Sequence, residues 1–524
     1  MDARQRQLDV LLRQGFTLLS RGRTAEAGAC CRKLLALEPE LVQGHFLVGL
    51  VALEAKDRKT AFRAFGSVTK LDPGHAAGWA QLARLFMAEG QVNRADAALA
   101  EALRPDPRDP IVQDLIGTVY SMMGEHGLAR DWYRRAVDAR PEHIPFLLNL
   151  ANNLVYHGET AAAVDMHRRI IGLQPDSPQA HWSLAGAQKA TDESHIDQIR
   201  DLLAAREHHP RLEAFYHYAI GKEYEDLERW GEAFDAFAKG AEARRKTVEY
   251  DEAAEVEMFE RLERLYTVEW LARNAGGYET GAPVFVLGQP RTGTTLIERI
   301  VCAHSDVHAA GELQQFGLAI RGIGDFREPK RFSAGFFDAA VNVDAARVGR
   351  TYMDTTRRVR GTAPHFVDKL PQNYLMIPLI LKALPGAKLV HLTRNAADAC
   401  FASFKQLFAD AYLHSYDLGE MARHHCRYRR LMERWRERFP GRFLDVGYEA
   451  TVGDLETNAR ALIDYLDLPW QDACLRFYEQ KQAVSTASAV QVREPAHTRS
   501  VSRWRRYETQ LEPMLEILRE HGYA

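Results

Sequence analysis

Residues 284–299 read VFVLGQPRTGTTLIER. Gly288 and Gly293 have the G-x-x-x-x-G spacing of a nucleotide-binding P-loop, and two hydroxyl residues follow. The lysine that reaches the β/γ-phosphates in G-x-x-x-x-G-K-[ST] is missing: Thr294 holds its place, and the cation of the loop is Arg291. Backbone N–H groups of a tight loop at a helix N-terminus bind an anion whatever it is attached to. A phosphate site is therefore expected, but nothing is set to grip a γ-phosphate with its magnesium. Arg291, three residues before the vacant lysine position, puts positive charge where it can clamp a terminal phosphate or sulfate. The competing reading is a plain strand-turn-helix with a solvated arginine.

The elements that must hold this loop follow from the pattern around it. Residues 284–287 form a buried strand, and Leu296, Ile297, Ile300 and Val301 give the next helix one apolar face. Further strands are expected at 365–367, at 388–392 with a helix from about 397, and at 442–446 with a helix at 454–466. Short apolar runs alternating with helical periodicity predict an α/β domain with a parallel sheet wrapped by helices. A Gly-rich connector, LARNAGGYETGAP at 271–283, separates it from what precedes. The domains are placed at 1–275 and 276–524.

The first of these is a repeat array. Pro39, Pro73, Pro107, Pro141 and Pro175 recur every 34 residues, the period of a tetratricopeptide repeat. In the same register stand Gly15, Gly49, Ala83, Gly117 and Ala151, and then Ala27, Ala61, Ala95, Ala129 and Ala163, small residues where two helices cross closely. About seven units are expected, one of them degenerate, the last reading IGKEYEDLERWGEAFDAF. They predict an all-α solenoid with Phe65, Trp79, Tyr133 and Phe237 in its core and a concave groove that recruits a peptide or other partner.

Composition narrows the classes. The 524 residues are 46% hydrophobic and 27% charged with a formal net charge of −3, so no global basic excess points to nucleic acid. No apolar run approaches the ~18 residues of a membrane span. The six cysteines are scattered without a C-x-x-C pair, which reads as a reduced, cytoplasmic protein with no structural metal.

The loop resembles the 5′-phosphosulfate loop of sulfotransferases that use 3′-phosphoadenosine 5′-phosphosulfate (PAPS), in which R-[ST]-G-T-[TS] opens a helix after the first strand. Here it is Arg291, Thr292, Gly293, Thr294 and Thr295. AKLVHLTRNAADACFASF resembles the same family's 3′-phosphate element, R-[DN]-P-x-D-x-x-x-S, with Arg394, Asn395 and Asp398 matching. Ala396 replaces the proline, and Ala402 stands where the serine belongs, with Ser403 one place later. With its repeats, the chain is most similar to bacterial tetratricopeptide-repeat sulfotransferases and, more distantly, to tyrosylprotein sulfotransferases. The resemblance implies Glu312, in HAAGELQQF, as catalytic base. It implies Lys369, in FVDKLPQNY, and Ser488 at the reacting sulfuryl group, and Tyr448, Ser403 and Arg503 as nucleotide contacts beside Arg394.

What it implies as a whole is metal-free, in-line sulfuryl transfer from PAPS to an acceptor hydroxyl, peptide tyrosine among the candidates. Such a displacement needs the acceptor's proton removed and charge on the bridging oxygen neutralised. The alternative is a repeat scaffold whose nucleotide domain binds an adenosine phosphate without turnover.

Overall fold

The computed structural model describes residues 3–273, 276–480, 482–486 and 489–523. They divide into two compact units, Met1–Asn149 and Leu150–Ala524.

In the first unit antiparallel helices follow the expected period: Ala3–Ser20 and Thr24–Leu37, Val42–Glu54 and Arg58–Leu71, Ala76–Ala88 and Val92–Leu103, Pro110–Met122 and His126–Ala139. Each crossing needs a small residue. A Cβ added to Gly15 would lie 2.5 Å from Leu47, one on Gly49 2.5 Å from Phe65 and one on Gly117 2.7 Å from Tyr133, while Ala27, Ala61, Ala95 and Ala129 are fully buried. Phe65 and Tyr133 are core residues. Trp79 is partly buried and donates its indole N–H to Pro73 O at 2.9 Å. A second 34-residue series emerges in the turns, where Gly22, Lys56, Gly90 and Gly124 all have positive φ. Glycine favours that left-handed corner, and Lys56 adopts it all the same. Gly49→Ala gains about 1 kcal/mol of helix propensity but overpacks Phe65 at about 1–3 kcal/mol. A lowered urea midpoint for the first unit is the expected result, and an unchanged or raised midpoint overturns the close crossing.

The second unit begins with the remaining repeats, among them helices Thr160–Leu173, Pro178–Ala187, Pro210–Asp226 and Trp230–Arg245. It continues into a sheet of five parallel strands: β1 Pro283–Gly288, β2 Val307–Ala309, β3 His365–Asp368, β4 Lys388–Thr393 and β5 Leu444–Gly447, in the order β2-β3-β1-β4-β5. Alternation along β1 sends Val284 and Val286 to one face, among Ile297, Ile300, Val390 and Leu392, and Phe285 and Leu287 to the other, among Phe366, Leu389 and Trp435. Helices cover both faces, as a buried parallel sheet requires. The expected strands are all present. β2 is additional, at three residues too short to register as an apolar run.

Secondary structure changes near residue 275, but the compact unit does not divide there. Tyr218 and Phe237 of the late repeats share one core with Phe401, Phe404, Leu511 and Leu515, and Tyr218 Oη donates to Phe404 O at 2.9 Å. Glu255, on the helix Glu252–Leu265, accepts from Arg427 at 2.7 Å and pairs with His424 Nδ1 at 2.9 Å, tying it to the helix Leu418–Arg438. Among the described residues no helix is long and apolar enough to cross a membrane.

Candidate active site

β1 lies between β3 and β4, so its carboxyl end opens onto the crevice where strand order reverses, the usual ligand position in an open α/β sheet. The glycine-rich loop sits at that end. Gly288 has φ +143°, and an added Cβ there would lie 2.8 Å from Leu392 O. Gly293 has φ +100°, and its Cβ would lie 2.7 Å from Tyr448. Arg291 is also left-handed, at φ +68°. Thr292 Oγ1 donates to Gln289 O at 2.8 Å and closes the turn. Gly293 then caps the helix Thr294–Cys302, whose first amides have no intrahelical partner. They open onto a cleft of about 850 Å³ lined by Arg291, Gly293, Thr294 and Thr295.

The short strand β2 explains how Glu312 reaches this cleft. Its pairing with β3 runs on past both strands, with Ala310 N donating to Val367 O at 3.0 Å and Lys369 N to Gly311 O at 2.9 Å. Asp368, buried and accepting from Tyr352 Oη at 2.9 Å, also takes Leu313 N at 3.4 Å. Glu312 and Lys369 are thereby set side by side as an ion pair. Their side chains are 49% and 2% exposed, so the carboxylate is open to a solute and the ammonium stands behind it. Burial pulls the Lys369 ammonium down, but Glu312 and Glu298 outweigh it and hold it above its ordinary value. Glu298, one helical turn beyond Thr294, is itself buried. Its carboxyl is pushed up to about 7 by burial, with Lys369 opposing and Glu312 assisting.

Arg394 follows β4. Its guanidinium donates to Arg291 O at 2.8 Å and Ser500 O at 2.6 Å and lies 4.6 Å from the centre of the Tyr448 ring. Its Nε is buried without a hydrogen-bond partner. Burial and the neighbouring Arg394 push the Arg291 guanidinium down to about 10, still charged at neutral pH. Asn395 Oδ1 caps the helix Ala396–Phe404 at Asp398 N. Asp398 accepts from Ser502 N at 2.7 Å and Trp504 N at 3.0 Å, which delivers Arg503 to the cleft wall. Asn395 thus shapes the site from behind, and Asp398 from within its wall.

Arg291, Gly293, Thr294, Thr295, Glu312, Lys369, Arg394, Tyr448 and Arg503 all line this one cleft. Two expected contacts do not reach it with their side chains. Ser403 is fully buried, its hydroxyl donating to Ala399 O at 2.9 Å and Pro290 O at 3.3 Å. One residue is ~100° of helix, so it is Ala402 that faces the cleft. The Thr292 hydroxyl is spent on the turn. Ser488 lies outside the described residues. His304, near the loop in sequence, is buried with its Nε2 2.8 Å from Pro469 O. Not anticipated were Glu298, Lys405 and Glu225. Lys405 stands one turn beyond Ala402 at the C-cap of the same helix, a spacing visible in the sequence. Glu225 comes from a repeat helix and carries no local signal.

Residues 283–472 match the sulfotransferase family. Residues 52–118 match the tetratricopeptide repeat. An uncharacterized protein of Aquifex aeolicus (strain VF5) is 33% identical over 408 residues, covering 75% of this chain and 52% of that protein. The protein-tyrosine sulfotransferase of Drosophila melanogaster is 22% identical over 269 residues, 46% of this chain and 52% of that one. A putative protein-tyrosine sulfotransferase of Caenorhabditis briggsae is 24% identical over 230 residues, 42% and 80% of the two chains. The chain spans about half the length of the first two relatives. The sulfotransferase match begins with β1 and encloses the loop, the Glu312–Lys369 pair and Arg394, whereas Arg503 lies beyond its end.

Proposed function

We propose that the protein transfers a sulfuryl group from PAPS to an acceptor hydroxyl. The observation that carries this reading is the meeting, in one cleft, of a lysine-free anion loop, Arg394 and the half-exposed Glu312 backed by Lys369. The cleft volume is in the range of small-molecule sites, and the unpartnered Arg394 Nε suits a phosphate oxygen. In this reading the amides of Gly293, Thr294 and Thr295 hold the 5′-phosphate, with Arg291 beside them. Arg394 and Arg503 hold the 3′-phosphate, and Tyr448 packs under the Arg394 guanidinium.

The acceptor oxygen forms the new O–S bond as the bond from sulfur to the donor's bridging oxygen breaks. Glu312 takes the acceptor's proton, and Lys369 balances the charge left on the bridging oxygen. The names of the animal relatives favour peptide tyrosine as acceptor. Tyr156 and Trp182, both from repeat helices, line the same cleft, which favours an acceptor large enough to touch the repeats. All six cysteines are free, in keeping with a reduced, cytoplasmic setting.

Binding of 3′-phosphoadenosine 5′-phosphate, ATP with magnesium and PAPS, followed by desulfonation of the last, tests the reading. The bisphosphate should bind far better than ATP and keep its affinity in a chelator; equal affinities overturn the donor assignment. Arg394→Ala should weaken the bisphosphate by about 1.5–3 kcal/mol, the worth of a charged hydrogen bond, and leave adenosine 5′-phosphate nearly unchanged. One observation favours the scaffold reading, the methyl of Ala402 standing where the family's serine hydroxyl is expected. Binding without any desulfonation would support it.

A further inference from the structure

The donor pocket contains a charge that the sulfotransferase domain does not supply. Glu225 lies at the end of the repeat helix Pro210–Asp226 and lines the same cleft as Arg291 and Arg394. Its side chain is only 10% exposed and is held by three groups: Lys405 Nζ and Tyr507 Oη, the latter at 2.8 Å, donate to Oε1, and Arg503 Nη2 forms an ion pair with Oε2 at 3.2 Å. Lys405 comes from the helix that follows Arg394, and Arg503 from the segment pinned by Asp398. Without a counter-charge these cations and nearby Arg291 would repel one another, and Arg503, at 36% exposure, has room to swing into solvent. The Glu225 carboxylate instead draws Lys405 and Arg503 together from beneath. The hydrogen bond from Tyr218 to Phe404 O fixes its helix against the helix that bears Lys405.

We propose that Glu225, a residue of the repeats, is a positioning residue of the donor site, holding Lys405 and Arg503 as a pair aimed at the 3′-phosphate. The proposal rests on the PAPS reading. It gives Lys405 the place that Ala402 leaves open and makes donor affinity depend on how the late repeats are seated.

Calorimetric titration of the full chain with 3′-phosphoadenosine 5′-phosphate and with adenosine 5′-phosphate isolates the contribution of the 3′-phosphate. Glu225→Gln should weaken the bisphosphate by about tenfold or more, as expected when charge-assisted contacts lose their geometry, and leave the monophosphate within about twofold. Glu225→Asp should recover part of that loss. Tyr507→Phe, which removes one donor to the carboxylate, should show a smaller loss of the same kind, and it decides the matter if Glu225→Gln does not fold. Equal losses for both nucleotides would reduce Glu225 to a structural staple, and unchanged or tighter bisphosphate binding would also overturn the proposal. A parent protein that does not prefer the bisphosphate overturns the donor reading itself, and this proposal with it.

Discussion

Glu312→Gln should lower the maximal transfer rate by about 10²–10⁴-fold, the usual worth of a general base, with nucleotide affinity nearly unchanged. Glutamine keeps the shape and can still accept a hydrogen bond from Lys369, but it cannot take the acceptor's proton. Glu312 is half exposed, but the buried Lys369 ammonium loses its main counter-charge, so some folding stability should be lost as well and the rate is read well below the melting temperature. Single-turnover desulfonation with an identified acceptor is the measurement. Normal turnover in the glutamine variant would remove Glu312 from the mechanism.

Lys369→Met should cost about 10²–10³-fold in rate, comparable to losing one preorganised donor at a developing negative charge, again with a smaller change in donor affinity. The variant isolates charge from packing. Methionine fills the buried space behind Glu312, and Glu312, facing the cleft, is not left as a stranded interior charge of the kind that costs several kcal/mol. Glu298, already pushed up to about 7 by burial, loses the cation that favours its ionised form and stays protonated to higher pH. A methionine variant that loses donor affinity and rate in equal measure would show that Lys369 acts in binding and not in the transition state.

The anion loop, the strand before it and the apolar face of its helix were legible because they are local: a glycine spacing, an alternation and a 3.6-residue period. The 34-residue register was legible for the same reason, since every repeat meets its neighbour through the same small residues. Ser403 was misplaced because a linear motif does not say which way a helix has turned, and one residue decides between cleft and core. β2 was missed because three residues carry no periodicity, although its pairing with β3 is what brings Glu312 to Lys369. Glu225 could not be read at all. It meets Lys405 across 180 positions of chain, and nothing within the repeat distinguishes it from a surface glutamate.

The core shared by Tyr218, Phe237, Phe401 and Leu515 has a consequence for the order of events on the ribosome. The early repeats are built from neighbours in sequence and can form as they emerge, since local contacts close quickly. The late repeats cannot finish. The apolar face around Tyr218 and Phe237 waits for the helices Ala396–Phe404 and Glu508–Glu520, both of which follow it far downstream in the chain. At about 5–20 residues per second, that face stays uncovered for tens of seconds in every nascent chain. Release of chains cut short before residue 508 should therefore yield aggregates rather than a stable shorter protein, and holding chaperones should engage the nascent chain from about residue 245 onward.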